Sequence, residues 1–311
     1  MNVVFMGTSA YAVPALEWLV ASRHSVVAVV TQPDRPQGRG RRIAPSPVKQ
    51  VVERQGLHLL QPRRANDPQL LTELTALAPQ VIVVAAYGQL LRAALLAIPP
   101  LGCINIHASL LPKYRGAAPI NWALMHGQRV TGVTIMLIDE PLDTGPILLQ
   151  SELTIDPADD AGTLQERLAM CGAEALVRAL DGMESGSLRP RPQDHAQATY
   201  APKLRKEDGM IVWTRSAVDL AHLIRGVTPW PGAMTTHRGK PLRIWRATPK
   251  ERSGAGRPGR VAAIDPLGIW VESGDGYLVL GEVQPASGRR MDAAAYARGH
   301  ELRPEDVLGT C

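Results

Sequence analysis

Short apolar runs alternate with helix-like patterns through the first half of the chain. Three such runs, at 3–6, 26–31 and 81–85, are each followed by a segment in which apolar residues recur every three to four positions. This order predicts parallel strands joined by right-handed crossovers, as in a doubly wound α/β sheet. The remaining elements predicted in this half are helices near 12–21, 47–55, 68–77, 118–127 and 164–181, and strands at 132–138 and 147–155.

After residue 203 the pattern changes to short strands separated by Gly and Pro. One helix, at 217–226, precedes five short strand patterns between 234 and 283, which predicts a small OB-like β-barrel. The stretch 186–202 has three turns that contain Pro and few apolar residues, so it is interpreted as a linker. The predicted organisation is a doubly wound, mostly parallel α/β domain at 1–186, a linker at 187–203 and an OB-like domain at 204–311.

The net positive charge of the chain lies in its last third. The first 202 residues hold 17 basic and 17 acidic side chains, whereas residues from 203 onward hold 17 and 12. A basic accessory domain suits a polyanionic substrate, since neutralising phosphates releases counterions. Surface charge kept for solubility explains the same excess equally well.

Other compositional features narrow the class of protein. No segment approaches the roughly 20 apolar residues of a membrane span, and no basic leader precedes the first strand, so we expect a cytoplasmic protein without a membrane partner. Three cysteines lie far apart and in no CxxC or Cys/His cluster. Neither a disulfide framework nor a zinc site is indicated.

Candidate catalytic residues lie at or just after the ends of predicted strands. Asn105 and His107 are two residues apart and therefore share one face of the strand, and Asp143 follows another strand in an acidic turn. A carboxamide, an imidazole and a carboxylate suffice for acyl transfer between two nitrogens, because they can hold an oxyanion and move a proton. From the residues alone, a structural histidine and ordinary turn formers remain the alternative.

A long motif favours the catalytic interpretation of these residues over the structural one. The string HASLLPKYRGAAPINWAL, which begins at His107, resembles the signature of the 10-formyltetrahydrofolate-dependent formyltransferases, and Asp143-Thr144-Gly145 lies where that family has its catalytic Asp. The resemblance implies Asn105, His107 and Asp143 as catalytic residues, 10-formyltetrahydrofolate as co-substrate, and no metal. The residues that it implies for the folate site are Ser109, Leu110, Leu111, Pro112, Tyr87, Gly88 and Asp139.

A second motif indicates the acceptor. The loop TQPDRPQGRGRR, from Thr31, closely resembles the loop that methionyl-tRNA formyltransferases insert against the acceptor end of tRNA, and the segments YAPKLRKED and RGVTPWPGA resemble their C-terminal region. The resemblance implies initiator methionyl-tRNA as partner, in translation initiation, with Arg39 at the position that senses the weak first base pair. The implied tRNA-binding residues are Arg39, Arg41, Arg42, Lys203, Arg205 and Lys206.

Three rival functions differ in what they require. An amino-sugar formyltransferase would use the same donor, but the Arg39 loop would then be incidental. An RNA-binding protein without catalysis would have no use for Asn105, His107 and Asp143. A nicotinamide oxidoreductase would need the GxGxxG fingerprint, which the turn at Gly7 lacks. We expect the formyltransferase to act as a monomer.

Overall fold

The computed structural model describes residues 1–37, 42–251 and 256–309, with the backbone alone at Gln37 and Arg42. The strands are β1 Asn2–Gly7, β2 Ser25–Val30, β3 Arg35–Gln37, β4 Arg42–Ala44, β5 Leu59–Leu60, β6 Val81–Ala85, β7 Cys103–His107, β8 Arg115–Gly116, β9 Val130–Leu137, β10 Ile147–Thr154, β11 Tyr200–Ala201, β12 Ala233–His237, β13 Lys240–Glu251, β14 Val261–Asp265, β15 Gly268–Glu272, β16 Gly276–Pro285 and β17 Met291–Asp292.

The α-helices are α1 Val13–Ala21, α2 Pro47–Gln55, α3 Pro68–Leu77, α4 Ala93–Leu96, α5 Pro119–Met125, α6 Ala161–Glu184, α7 Ala217–Val227 and α8 Ala293–Gly299. Short 3-10 turns occupy Ala10–Ala12, His195–Gln197 and Lys206–Gly209. In the described part of the chain, none of these helices combines the length and apolar character that a bilayer crossing requires.

The chain divides into two compact units. The first comprises residues 1–116, 130–154 and 165–201, and the second comprises 117–129, 155–164 and 202–311. The predicted boundaries at 186 and 204 stay a prediction. Two short segments from earlier in the chain, 117–129 with α5 and 155–164, belong to the same unit as the C-terminal third.

The first unit is built on a seven-stranded sheet in the order β10-β9-β7-β6-β1-β2-β5. Five strands, β7 through β5 in that order, run parallel. Strands β6 and β1 are almost wholly buried runs of Val, Ile and other apolar residues, as strands covered on both faces must be. The predicted doubly wound, mostly parallel α/β sheet is confirmed.

The sheet edge formed by β9 and β10 differs from a purely parallel arrangement. Strand β9 pairs antiparallel with β7, and β10 pairs antiparallel with β9. Only residues 138–146 connect β9 to β10, which is too short for the dozen or more residues that a parallel crossover needs. This short connection carries Asp139 and Asp143, so the hairpin fixes where the acidic turn can lie.

Local sequence signals explain the helix ends. In α2, the Ser46 side chain accepts a hydrogen bond from the Lys49 backbone N–H, Pro47 occupies the first helical position, and Gly56 ends the helix with a φ of 64°. A serine cap satisfies one free N–H, and glycine adopts the left-handed conformation without steric cost. The predicted span of 47–55 is therefore the observed one.

The second unit carries a sheet of mostly antiparallel strands. Strands β12-β13-β16-β15-β14 are neighbours in this order, and β17 pairs with β16. Leu220, Ile224, Leu242 and Leu280 are fully or almost fully buried in its apolar core. Short strands were predicted here, and their antiparallel pairing is what the structure adds. Closure into an OB-like barrel stays a prediction.

Two features of this unit were not predicted. Strand β13 runs over 12 residues, from Lys240 to Glu251, whereas only short strands were predicted. Helix α8 was also missed, although Asp292 caps it by accepting from the Ala295 backbone N–H and alanines, which favour helices, follow.

Candidate active site

The candidate site lies at the carboxyl end of β7, next to the parallel strand β6. Asn105 is half-buried, and two residues later His107 ends the strand with its side chain 6% exposed. Residues i and i+2 of a strand face the same side, so both side chains lie on one face of the sheet. Ligands bind beyond this end of the strands in open α/β sheets, which makes the position suitable for chemistry.

The imidazole of His107 lies between two oxygen atoms, one on each ring nitrogen. Its Nε2 lies 3.0 Å from the backbone carbonyl oxygen of Tyr114, and since a carbonyl can only accept, Nε2 carries the hydrogen and donates. Its Nδ1 lies 3.6 Å from Oδ1 of Asp143, an ion-pair distance rather than a hydrogen bond. The structure thus brings together the predicted histidine and aspartate.

Asp143 is fixed by its backbone as well as by its side chain. Its side chain is 9% exposed, and Oδ2 accepts a 2.8 Å hydrogen bond from the Gly116 backbone N–H. Its φ is 54°, which is uncommon for a residue other than glycine. At Gly145 any Cβ would lie 1.9 Å from the Leu137 carbonyl oxygen, so only glycine fits there.

Asp139 lies in the same turn but has a different partner. The Thr144 hydroxyl donates to Asp139 Oδ1 at 2.6 Å and lies 3.1 Å from the Pro141 carbonyl oxygen. The turn therefore holds one carboxylate against His107 and the other against Thr144. The predicted folate contact of Asp139 stays a prediction.

The segment predicted to line the folate site is tied to the antiparallel hairpin. The Ser109 hydroxyl donates to the Lys113 carbonyl at 2.6 Å, and the Leu111 N–H donates to the Thr134 hydroxyl at 3.1 Å. Leu111 is buried against Met136, whereas Leu110 and Pro112 are half-buried. Side chains of Ser109 and Leu111 are thus engaged within the protein, and Leu110 and Pro112 are the more accessible members.

Tyr87 and Gly88 follow the end of β6. The Tyr87 ring is 1% exposed within an apolar cluster, and burial raises its pKa to about 12. Its hydroxyl has no hydrogen-bond partner among the described residues. Its carbonyl accepts from Gln32 Nε2 at 2.6 Å and from the Thr8 hydroxyl at 3.0 Å, so this backbone is firmly anchored beside the site.

The arginine-rich loop is described only at its base. Arg39 and Arg41 lie outside the described residues, and Arg42 is described only as backbone in β4, which pairs antiparallel with β3. This hairpin was not predicted. Next to it, Lys49 donates to Asp34 at 2.7 Å, and this bond holds the pKa of Asp34 below its ordinary value.

Basic residues near the start of the C-terminal third are exposed. Lys203, Arg205 and Lys206 are exposed, whereas Leu204 between them is buried. The Arg205 backbone N–H donates to an Asp208 side-chain oxygen at 2.6 Å, and the exposure of the three cationic side chains makes them accessible to an anion. Their predicted role at tRNA stays a prediction.

Sequence reasoning missed a group of residues in the predicted linker. Gln193 and Thr199 contact the segments that hold Asp143 and His107. No local pattern marks them, since the contacts join residues tens of positions apart. In the described portion of the chain, no group of three or more His, Cys, Asp or Glu side chains is placed to bind a metal ion.

Comparisons with known proteins show the family of the chain. Residues 1–180 match the formyl transferase family, and residues 203–301 match the formyl transferase C-terminal domain. Proteins named methionyl-tRNA formyltransferase from Trichlorobacter lovleyi and Syntrophus aciditrophicus are both 47% identical to this chain over 99% of it, covering 96% and 99% of their own lengths. One from Acetivibrio thermocellus is 44% identical over 99% of this chain and 100% of its own.

Solved structures show the same fold at low identity. HypX from Aquifex aeolicus in complex with tetrahydrofolic acid is 18% identical, with a TM-score of 0.65 over 98% of this chain and 48% of that one. An N-formyltransferase from Helicobacter canadensis in complex with folinic acid and dTDP-3-aminofucose is 14% identical, with a TM-score of 0.68 over 93% of this chain and 99% of that one. The chain belongs to the formyl transferase family, and its full-length relatives place it among the methionyl-tRNA formyltransferases.

Proposed function

We propose that this chain transfers the formyl group of 10-formyltetrahydrofolate to the α-amino group of methionine on initiator methionyl-tRNA, in translation initiation. The observation that carries the proposal is the pairing of His107 with Asp143 at the carboxyl end of a parallel strand, 3.6 Å apart and both nearly buried. The pairing occurs in a chain that is 47% identical over almost its whole length to proteins named for this reaction.

The reaction needs proton management rather than a protein nucleophile. The neutral α-amino nitrogen attacks the formyl carbon and forms a new C–N bond, and negative charge develops on the formyl oxygen. The bond between that carbon and N10 of the folate then breaks. The proton lost by the amine ends on N10 of the leaving tetrahydrofolate, so atoms and charge balance without an oxidant or a metal.

Each of the three polar side chains has a separate role in this reaction. Asn105 donates its amide N–H to the oxygen that becomes negative, which lowers the barrier when the donor is already in place. His107 takes up and returns the proton, and Asp143 orients the ring and stabilises its protonated form. The Tyr114 carbonyl holds the ring from the other side, so the imidazole cannot rotate away from the carboxylate.

Recognition of the acceptor rests on the basic segments. Arg39, Arg41 and Arg42 form one group in the loop, and Lys203, Arg205 and Lys206 form another that is exposed to solvent. Arginine can pair with phosphates or fork onto base edges, and lysine binds phosphate as a point charge. We assign Arg39 to the first base pair of initiator tRNA because small glycines flank it and allow a close approach.

An amino-sugar acceptor is not favoured. The solved sugar formyltransferases resemble this chain at only 14–19% identity, which reports the fold alone. The full-length relatives at 43–47% identity are named for methionyl-tRNA.

The experiment is a direct transfer assay. The full chain is incubated with 10-formyltetrahydrofolate and, separately, initiator methionyl-tRNA, elongator methionyl-tRNA or a dTDP-linked amino sugar. The proposal expects formylmethionine on the initiator tRNA and little product with the other two acceptors. Formylation of the amino sugar alone, or no formyl group on any RNA, would overturn it.

A further inference from the structure

We propose that Gln193, in the segment predicted as a linker, is a positioning residue that holds Asp143 against His107. The inference rests on the proposed formyl transfer and adds a residue to it. Gln193 is 6% exposed, whereas most of its neighbours in that segment are exposed. A buried glutamine in an otherwise exposed segment needs partners for its amide, and the partners identify its role.

The amide nitrogen of Gln193 binds the turn that carries Asp143. Nε2 donates to the Asp143 carbonyl oxygen at 2.9 Å and to the Gly145 carbonyl oxygen at 2.8 Å. Each of its two hydrogens therefore has an acceptor within the turn. These bonds hold the backbone on both sides of Thr144. One of them is to Asp143 itself, whose φ is 54°. Such a conformation persists only where surrounding contacts determine it.

The amide oxygen of Gln193 binds Arg115. Nε and Nη2 of Arg115 approach Oε1 at 3.1 and 2.6 Å, and Nη2 also lies 3.0 Å from Nδ1 of His195. Both ends of the amide are therefore occupied, and a flipped amide would place its oxygen against two carbonyl oxygens. The orientation of Gln193 is fixed, and it links the Asp143 turn to the backbone next to Gly116.

The same segment supports His107 from the other side. The Thr199 hydroxyl accepts from the Tyr114 N–H at 2.8 Å, and the Thr199 carbonyl accepts from the Arg115 N–H at 2.9 Å. Tyr114 is the residue whose carbonyl binds His107, and the neighbouring Gly116 N–H binds Asp143. Gln193 and Thr199 thus hold the two segments that set the distance between the imidazole and the carboxylate.

The first test replaces Gln193 by leucine, which has a similar size but neither donates nor accepts. A small displacement of a catalytic group costs up to about 100-fold in rate, so we expect kcat to fall about 10- to 100-fold while KM for both substrates changes less than about twofold. Gln197→Leu is the matched control, since Gln197 lies in the same segment, is exposed and donates to its near neighbour Asp194. It should leave kcat unchanged.

A double mutant shows whether Gln193 acts through Asp143. In the Asp143→Asn background, Gln193→Leu should lower kcat by less than about twofold, because the group that it positions is already disabled. If the two losses multiply, Gln193 acts independently of Asp143 and the inference is wrong. If Gln193→Leu does not fold, Arg115→Lys replaces it, since lysine keeps the charge but cannot reproduce the two bonds to Oε1.

A spectroscopic measurement separates this inference from the proposed function. The ¹⁵N signals of the His107 ring should move in Gln193→Leu and stay in place in Gln197→Leu. A wild-type chain without transfer would refute the proposed function, yet this measurement would still test the positioning. Unchanged His107 signals and unchanged kcat in folded Gln193→Leu would overturn the inference alone.

Discussion

Nδ1 of His107 lies 3.6 Å from Oδ1 of Asp143, although the two residues belong to different strand ends and reach each other only through the fold. Two backbone groups and one short loop fix the distance between the two side chains. The Tyr114 carbonyl holds the other ring nitrogen, the Gly116 N–H holds the other carboxylate oxygen, and the short β9–β10 connection limits where the acidic turn can go. The tertiary structure at this part of the sheet therefore determines the pairing of His107 with Asp143, and the sequence around either residue does not.

Replacing Asp143 by asparagine tests the carboxylate charge separately from the shape of the turn. The asparagine oxygen can still accept from the Gly116 N–H, so the fold should be retained, but a neutral amide cannot stabilise an imidazolium. We expect kcat to fall about 100-fold or more with KM for both substrates nearly unchanged. Steady-state kinetics with both substrates varied provide the measurement. A folded Asp143→Asn variant with wild-type kcat would exclude a catalytic role for the charge.

Sequence patterns predicted those elements that local residues determine. Strand β6 at 81–85 and helices α2 and α3 have the predicted bounds, because apolar period, proline and cap residues all lie within the segment. The alternation in β7 also places Asn105 and His107 on one face. These features depend on residues that are close together in the sequence, so they are predictable wherever tertiary packing does not override them.

Features that depend on distant partners were not predictable in this way. The antiparallel direction of β9 depends on its neighbour β7, and the role of Gln193 depends on a turn some 50 positions earlier. The β3–β4 hairpin lies in the arginine-rich loop, for which no strand was predicted. From the residues alone, the pairing of His107 with Asp143 was a hypothesis weaker than that of a structural histidine, and the resemblance to a family reversed that order.

Replacing Arg39 by alanine tests acceptor recognition. If the side chain reads the first base pair of initiator tRNA, kcat/KM for that tRNA should fall about 10-fold or more, in the range of a lost base contact, and the ratio of initiator to elongator rates should fall with it. Arg54→Ala is the control, since Arg54 is an exposed arginine on α2 paired with Glu17 at 2.7 Å. Equal losses with both tRNAs would reduce Arg39 to a general phosphate anchor.

A cysteine on the strand that carries the site provides a test of direct attack by the amine. Cys103 opens β7 but is 1% exposed, and burial raises the pKa of its thiol to about 12. At pH 8 only about one thiol in 10⁴ would then be ionised, and the thiolate is the reactive form. We expect iodoacetamide to leave Cys103 unmodified in the native chain, as read by mass spectrometry, and to modify it after unfolding.

The corresponding variant separates a thiol mechanism from direct transfer. Cys103→Ala should keep kcat within about twofold, and Cys171→Ala, at a half-buried thiol whose pKa burial also raises, serves as the paired variant. Loss of transfer in folded Cys103→Ala, with Cys171→Ala active, would point to a covalent formyl-thiol step and contradict the direct reaction.

The central claim is that His107 acts on the reacting atoms, and the single-turnover rate of His107→Ala tests it most directly. The variant is mixed with saturating initiator methionyl-tRNA and 10-formyltetrahydrofolate, and its affinity for the tRNA is measured in parallel. A proton-transfer role predicts a rate about 10²- to 10⁴-fold below wild type, with the tRNA Kd changed less than about twofold. Transfer at the wild-type rate by the folded variant would contradict the account.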